Sequence, residues 1–130
     1  MEVPLKDSYT SNKVVSAIVP AVKTAAGDGN AIDLSGFGSA LFAINTGAVA
    51  GAGDFGVVMQ ESDESGSGFA NVAAGDQRGT VPATLAASSA YRIGYTGRKR
   101  YVRLNVTTAG GTSIALGAVA VLGHPAKAPV

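Results

Sequence analysis

Cysteine is absent from this chain, so neither disulfides nor thiolate metal sites can contribute to its stability or function. Histidine occurs once, as His124 beside Pro125 near the end of the sequence. A hydrolytic triad needs its histidine held rigidly against a serine and a carboxylate, and this position is poorly placed to do that. No two carboxylates stand on neighbouring rigid positions in a glycosidase-like arrangement either. An enzyme is therefore not expected, and no cofactor is implied. Charge is also scarce: charged residues make up 15% of the chain, against roughly 25% in an average soluble domain. The formal net charge of +1 gives no general attraction to a polyanion. Long apolar runs are missing as well. The longest, IALGAVAVLG at 114–123, falls well short of the roughly 20 residues needed to cross a bilayer, and no membrane partner is expected. The opening MEVPLKDSYTSN carries no apolar stretch of signal-peptide type. The expectation is a soluble protein made in a cytoplasm.

Small residues take the place of what is missing. Of the 130 residues 18 are glycine, and alanine is commoner still. The length favours one domain with room for a core. A compact monomer with so few charges would have difficulty staying soluble. Either its surface is an inert mixture of Ser, Thr and Gly, or other subunits cover much of it. The second is the expectation adopted.

Apolar residues recur with a period of two rather than 3.6, and turn residues separate the segments. KVVSAIV (13–19) reads as a first strand ended by Pro20. GDGN (27–30) turns into AIDL (31–34). SALFAIN (39–45) places Ala40, Phe42 and Ile44 on one face. FGVVMQE (55–61) groups Phe55, Val57 and Met59, and FANV (69–72) is short. YRIGY (91–95) precedes RYVRLNV (100–106), where Val102, Leu104 and Val106 point inward. SIALGAVAVLG (113–123) groups Ile114, Leu116, Ala118, Ala120 and Leu122. Seven or eight short strands predict an all-β, antiparallel β-sandwich, jelly-roll-like, over residues 13–123. TVPATLAASSA (80–90) reads as a loop or a single helical turn. Residues 1–12 and 124–130 read as extended N- and C-terminal arms, the second carrying two prolines.

Three local motifs carry little chemistry. GAGDFG (51–56) matches the dinucleotide fingerprint GxGxxG, but that motif needs a following helix, and a strand-like segment follows. DESGSG (63–68) resembles the start of a calcium loop, yet the twelfth position from Asp63, where an EF-hand requires glutamate, is Ala74. The acidic turn at Asp28 and Asp33 fares no better, and no metal is expected. Asn105-Val106-Thr107 fits a glycosylation sequon but lies within a predicted strand.

The charges are unevenly spread. From 54 to 76 there are acids (Asp54, Glu61, Asp63, Glu64, Asp76) and no base; from 78 to 103 there are bases (Arg78, Arg92, Arg98, Lys99, Arg100, Arg103) and no acid. Two solvated loops of opposite sign would account for this. So would nucleic-acid binding, since Tyr91, Tyr95 and Tyr101 flank the arginines as possible stacking platforms; the acidic stretch in the same small domain opposes it. The reading adopted is a protein interface, in which the acids of one copy, or of a capsid, meet the bases of the next. Its contact residues are Arg98, Lys99, Arg100 and Arg103, with Glu61, Asp63 and Glu64 opposite them. Val3, Leu5 and Tyr9 on the N-terminal arm complete the set.

The order AIDLSGFGSALFAINTG, VVMQESDESGSGFANV, YRIGYTGRKRYVRLNVT and IALGAVAVLGHP, over about residues 31–125, resembles small head decoration (cement) proteins of tailed bacteriophages. The resemblance implies a sandwich module that assembles, often as a trimer, on the outer surface of the phage head. There it would bind the major capsid protein, bridge its subunits and resist the pressure of packaged DNA. A head-completion or tail-tube-type ring protein is the alternative within the particle, and a nucleic-acid-binding module the alternative outside it.

Overall fold

The computed structural model describes residues 6–127. Among these the chain forms β1 (Lys13–Lys23), β2 (Gly27–Asp28), β3 (Ile32–Asp33), β4 (Phe37–Ala50), β5 (Asp54–Ser62), β6 (Ala70–Asn71), β7 (Gln77–Arg78), β8 (Ala90–Tyr95), β9 (Tyr101–Gly110) and β10 (Ser113–Pro125). One 3-10 turn, Ala74–Asp76, precedes β7. The strands make two antiparallel sheets packed face to face, in the orders β1-β10-β4-β8-β7 and β2-β9-β5-β6, with β3 also paired to β9. The pairs β1·β10, β2 and β3 with β9, β4·β8 and β5·β6 are the rungs of one long hairpin wound over itself. That winding is the jelly-roll form of the β-sandwich.

Alternation in the sequence explains which side of each strand is buried. Phe42 and Ile44 of β4, Ile93 of β8 and Leu116, Ala120 and Leu122 of β10 meet Phe55 and Met59 of β5 and Val102, Leu104 and Val106 of β9. These residues exclude water from both inner faces, and this burial is the main force holding the sheets together. The segment 80–90 is a loop, pinned at two points. Leu85 is buried and its N–H donates to the Phe55 carbonyl (2.8 Å). Buried Thr46 donates its hydroxyl to the Ala86 carbonyl (2.6 Å) and accepts from the Ser89 N–H (2.9 Å).

Pro20 does not end β1. The strand continues to Lys23 because it lies at a sheet edge, paired only with β10, and the register shifts between Ser16 and Ile18 and again between Ile18 and Ala21. An edge strand with bulges tolerates the missing N–H. The GAGDFG stretch is the β4–β5 turn. Gly51 and Ala52 both take positive φ and the Gly53 N–H donates to the Ala50 carbonyl (3.1 Å), the geometry of a twist-matched two-residue hairpin turn.

Of the two ends, residues 6–12 and 124–127 are described. Asp7 accepts from the Tyr9 N–H (2.9 Å) and the Thr10 N–H (3.1 Å), closing residues 7–10 into a turn. β10 carries the chain through His124 and Pro125, and the Ala126 N–H donates to the Gly36 carbonyl (2.8 Å). Val3 and Leu5 lie outside the described residues.

Candidate assembly surfaces

The two sheets differ sharply on their outer faces. On the β2-β9-β5-β6 sheet, register places Arg103 beside Gln60, and Asn105 beside Val58 and Asp28. Arg103 donates to Gln60 Oε1 (2.9 Å), pairs with Asp28 (3.4 Å) and lies 4.0 Å over the Phe69 ring. Asn105 donates to Asp28 Oδ1 (2.5 Å), so the sequon asparagine is held within the sheet face. At the end of β9, Arg100 makes a two-pronged contact with Asp33, Nε and Nη2 each at 3.0 Å. This bonding holds the Asp33 carboxyl below its ordinary range. Arg100 also lies 5.2 Å over the Tyr101 ring. Lys99 pairs with Asp63 at 2.9 Å, and that bond raises the lysine above its usual value.

These contacts change the expected pattern. The acids and bases separated along the sequence are brought together in one molecule, because β5 and β9 are antiparallel neighbours with Glu61 opposite Val102 and Ser62 opposite Tyr101. Asp63 therefore meets Lys99 of its own chain. Arg100 and Arg103 instead take Asp33 and Asp28, the carboxylates of the acidic turn. Glu61 accepts from the Tyr95 hydroxyl (2.6 Å), and Glu64 accepts from the Ser67 hydroxyl (2.9 Å). Arg98 is exposed and makes no ion pair among the described residues. Tyr9 is 86% exposed. Of the tyrosines considered as stacking platforms, Tyr95 is buried, Tyr91 accepts from the Ala86 N–H (2.9 Å), and Tyr101 lies beneath Arg100. Among the described residues no group of three or more His, Asp or Glu side chains is placed to hold a metal ion. No helix there is long and apolar enough to cross a membrane.

The outer face of the five-stranded sheet is the opposite in character. The inward set on β4 and β10 leaves Leu41, Ala43, Asn45 and Gly47 outward on one strand and Ala115, Gly117, Val119 and Val121 outward on the next. Val14, Ser16 and Val22 of β1 join them through their pairing with Val121, Val119 and Ala115. Val14 and Val22 are 64% and 65% exposed. Among the described residues no carboxylate lies on this face. Its charges are Arg92, opposite Ala43, and Arg78, opposite Gly94, both toward the β8–β7 side. An open trough of about 880 Å³ runs across it between β1 and β8.

No family model matches the chain, and no curated protein matches it. Chemically, the arrangement offers one apolar face able to exclude water against a partner and one polar face on which Lys99, Arg100 and Arg103 are each paired with an aspartate of the same chain. The first was not singled out from the sequence, although the signal was there: the outward positions of 39–45 and 113–123 are as poor in charge as the inward ones.

Proposed function

We propose that this chain is a non-enzymatic structural protein of a phage particle, a decoration or cement protein that binds the outer surface of the head and bridges capsid subunits. It acts as a homo-oligomer, with a trimer preferred, and its partner is the major capsid protein. The observation that carries the reading is the apolar outer face of the β1-β10-β4-β8-β7 sheet, which bears no carboxylate among the described residues. A contiguous apolar face on a soluble domain marks a surface meant for burial against a partner. The contrast with the opposite sheet supports an orientation, with the apolar face toward the shell and the ion-paired face toward solvent. The resemblance to decoration proteins supplies the setting, and jelly rolls recur in capsid domains.

The charged residues then have a smaller part than intermolecular gripping. Arg100 and Lys99 are engaged within the chain, and exposed pairs of this kind set geometry more than affinity. Most of the affinity comes from buried apolar surface, multiplied over several contacts per oligomer. The test is the copy number per purified particle. A decoration protein is present on the order of hundreds of copies, whereas a closed head–tail ring has about six or twelve. A ring-like count overturns the decoration reading in favour of a connector.

A further inference from the structure

A second cavity, a cleft of about 370 Å³, lies where β8 passes into β9, between the loop 96–100 and the turn that joins β3 to β4. Its volume is within the range of about 300–1,000 Å³ that small-molecule sites occupy. Backbone bonds tie its two walls together. The Leu34 N–H donates to the Arg100 carbonyl (2.8 Å), the Phe37 N–H to the Leu34 carbonyl (3.0 Å), and the Lys99 N–H to the Tyr95 hydroxyl (2.9 Å). The walls are therefore set before any ligand arrives, which keeps the ordering cost of binding low.

Arg98, Lys99 and Arg100 all line the cleft, and their donors outnumber the acceptors that engage them. Among the described residues Asp63 is the one carboxylate in the lining, and it accepts from Lys99 Nζ. Asp33 takes Nε and Nη2 of Arg100, leaving Nη1 without a partner there, while Glu61 is occupied by the Tyr95 hydroxyl. Arg98 makes no ion pair and stacks on no ring among the described residues. Half-buried Leu34 and Phe37 supply an apolar wall beside these donors. We infer that this cleft binds a small organic anion, a carboxylate or phosphate monoester on an apolar ring. The anionic oxygens meet Arg98 and the free edge of Arg100, and the ring lies against Leu34 and Phe37. A guanidinium suits such oxygens because its planar fork binds them through two parallel hydrogen bonds. An inorganic anion would leave the apolar wall in water, and a neutral ring would leave Arg98 unanswered. A nucleic-acid strand is opposed by Asp33, Glu61 and Asp63 around the loop, and it finds no free stacking ring, since Tyr95 is buried and Tyr101 lies beneath Arg100.

The test titrates the full chain at neutral pH with phenyl phosphate, benzoate, phenol and inorganic phosphate, following backbone amides by NMR. Phenyl phosphate or benzoate is expected to bind with a dissociation constant on the order of 0.1–1 mM, moving the amides of residues 34–40 and 95–100. Whichever of the two binds more tightly tells a phosphate source from a carboxylate source. Phenol and inorganic phosphate are each expected to bind about ten-fold more weakly than the better of these. Arg98→Gln weakens the better ligand by about ten-fold, whereas Arg92→Gln, an equal loss of charge on the other face, leaves it unchanged. Arg98 is exposed, so its replacement spares the fold, and circular dichroism checks this for both variants. No saturation by phenyl phosphate or benzoate up to about 10 mM overturns the inference. So do phenol or inorganic phosphate binding as tightly as the organic anions, shifts centred elsewhere, or equal effects of the two substitutions. The cleft shares no lining residue with the trough on the apolar face, so either outcome leaves the decoration reading to its own test.

Discussion

Tyr95 is the residue on which the basic loop turns. Its ring is buried at the end of β8, and its hydroxyl donates to Glu61 (2.6 Å) while accepting from the Lys99 N–H (2.9 Å). Gly97 lies against the same ring so closely that any Cβ there would overlap it. Burial, reinforced by the bond to Glu61, pushes the phenol up to about 12 from an ordinary value of 10.0. Between those pH values the unfolded chain loses a proton that the folded chain keeps. Stability therefore falls as pH rises through this window. Tyr95→Phe is expected to flatten that fall, read as the urea midpoint from pH 9 to 12 compared with wild type. At neutral pH the same change is expected to cost about 0.5–1.5 kcal/mol, because the hydroxyl's bonds to Glu61 and from the partly buried Lys99 N–H are both lost. Hydrogen exchange across residues 96–100 should accelerate with it.

Strand β9 organises the polar sheet, pairing with β2, β3 and β5. Arg103 at its middle joins three elements: Asp28 on β2, Gln60 on β5 and Phe69 just before β6. Arg103→Lys keeps the charge but loses the fork and most of the stacking. It is expected to lower stability by about 0.5–1.5 kcal/mol in urea unfolding and to speed amide exchange at Ala70 and Asn71. The Arg100 contact makes a different prediction. Its partner is Asp33, so Arg100→Glu combined with Glu64→Arg is expected to recover nothing, whereas Arg100→Glu combined with Asp33→Arg recovers part of the loss in thermal midpoint. Asp33 is held low by this bond. Its contribution is complete above the ordinary carboxylate range and disappears as pH falls through its lowered folded value.

For the molecule as a whole, connectivity governs folding. The last strand lies between the first and the fourth, with Leu122 opposite both Lys13 and Ala40. The five-stranded sheet cannot assemble until the chain is complete. A chain truncated before Ser113 is expected to remain unfolded by circular dichroism, while one lacking residues 1–12 folds. Refolding of the full chain is expected in milliseconds to seconds by stopped-flow fluorescence of its tyrosines, the range for sandwiches built from distant pairings.

Period-two alternation is a local property, and it determined the strands and the inward residues in advance: Phe42 and Ile44 on β4, Val102 to Val106 on β9, Ile114 to Leu122 on β10. Near-absence of charge on both sides of two of these strands also stood in the sequence. Register did not, because which residues face each other across a sheet depends on how distant segments slide together. Only the tertiary structure brought Asp28 and Asp33 to Arg103 and Arg100, closed Asp63 onto Lys99, let Pro20 remain in an edge strand, and joined three half-apolar strands into one continuous face. The physical reason is the same in each case: burial selects a strand's inner side residue by residue, but the neighbour on its outer side is fixed by the winding of the entire chain.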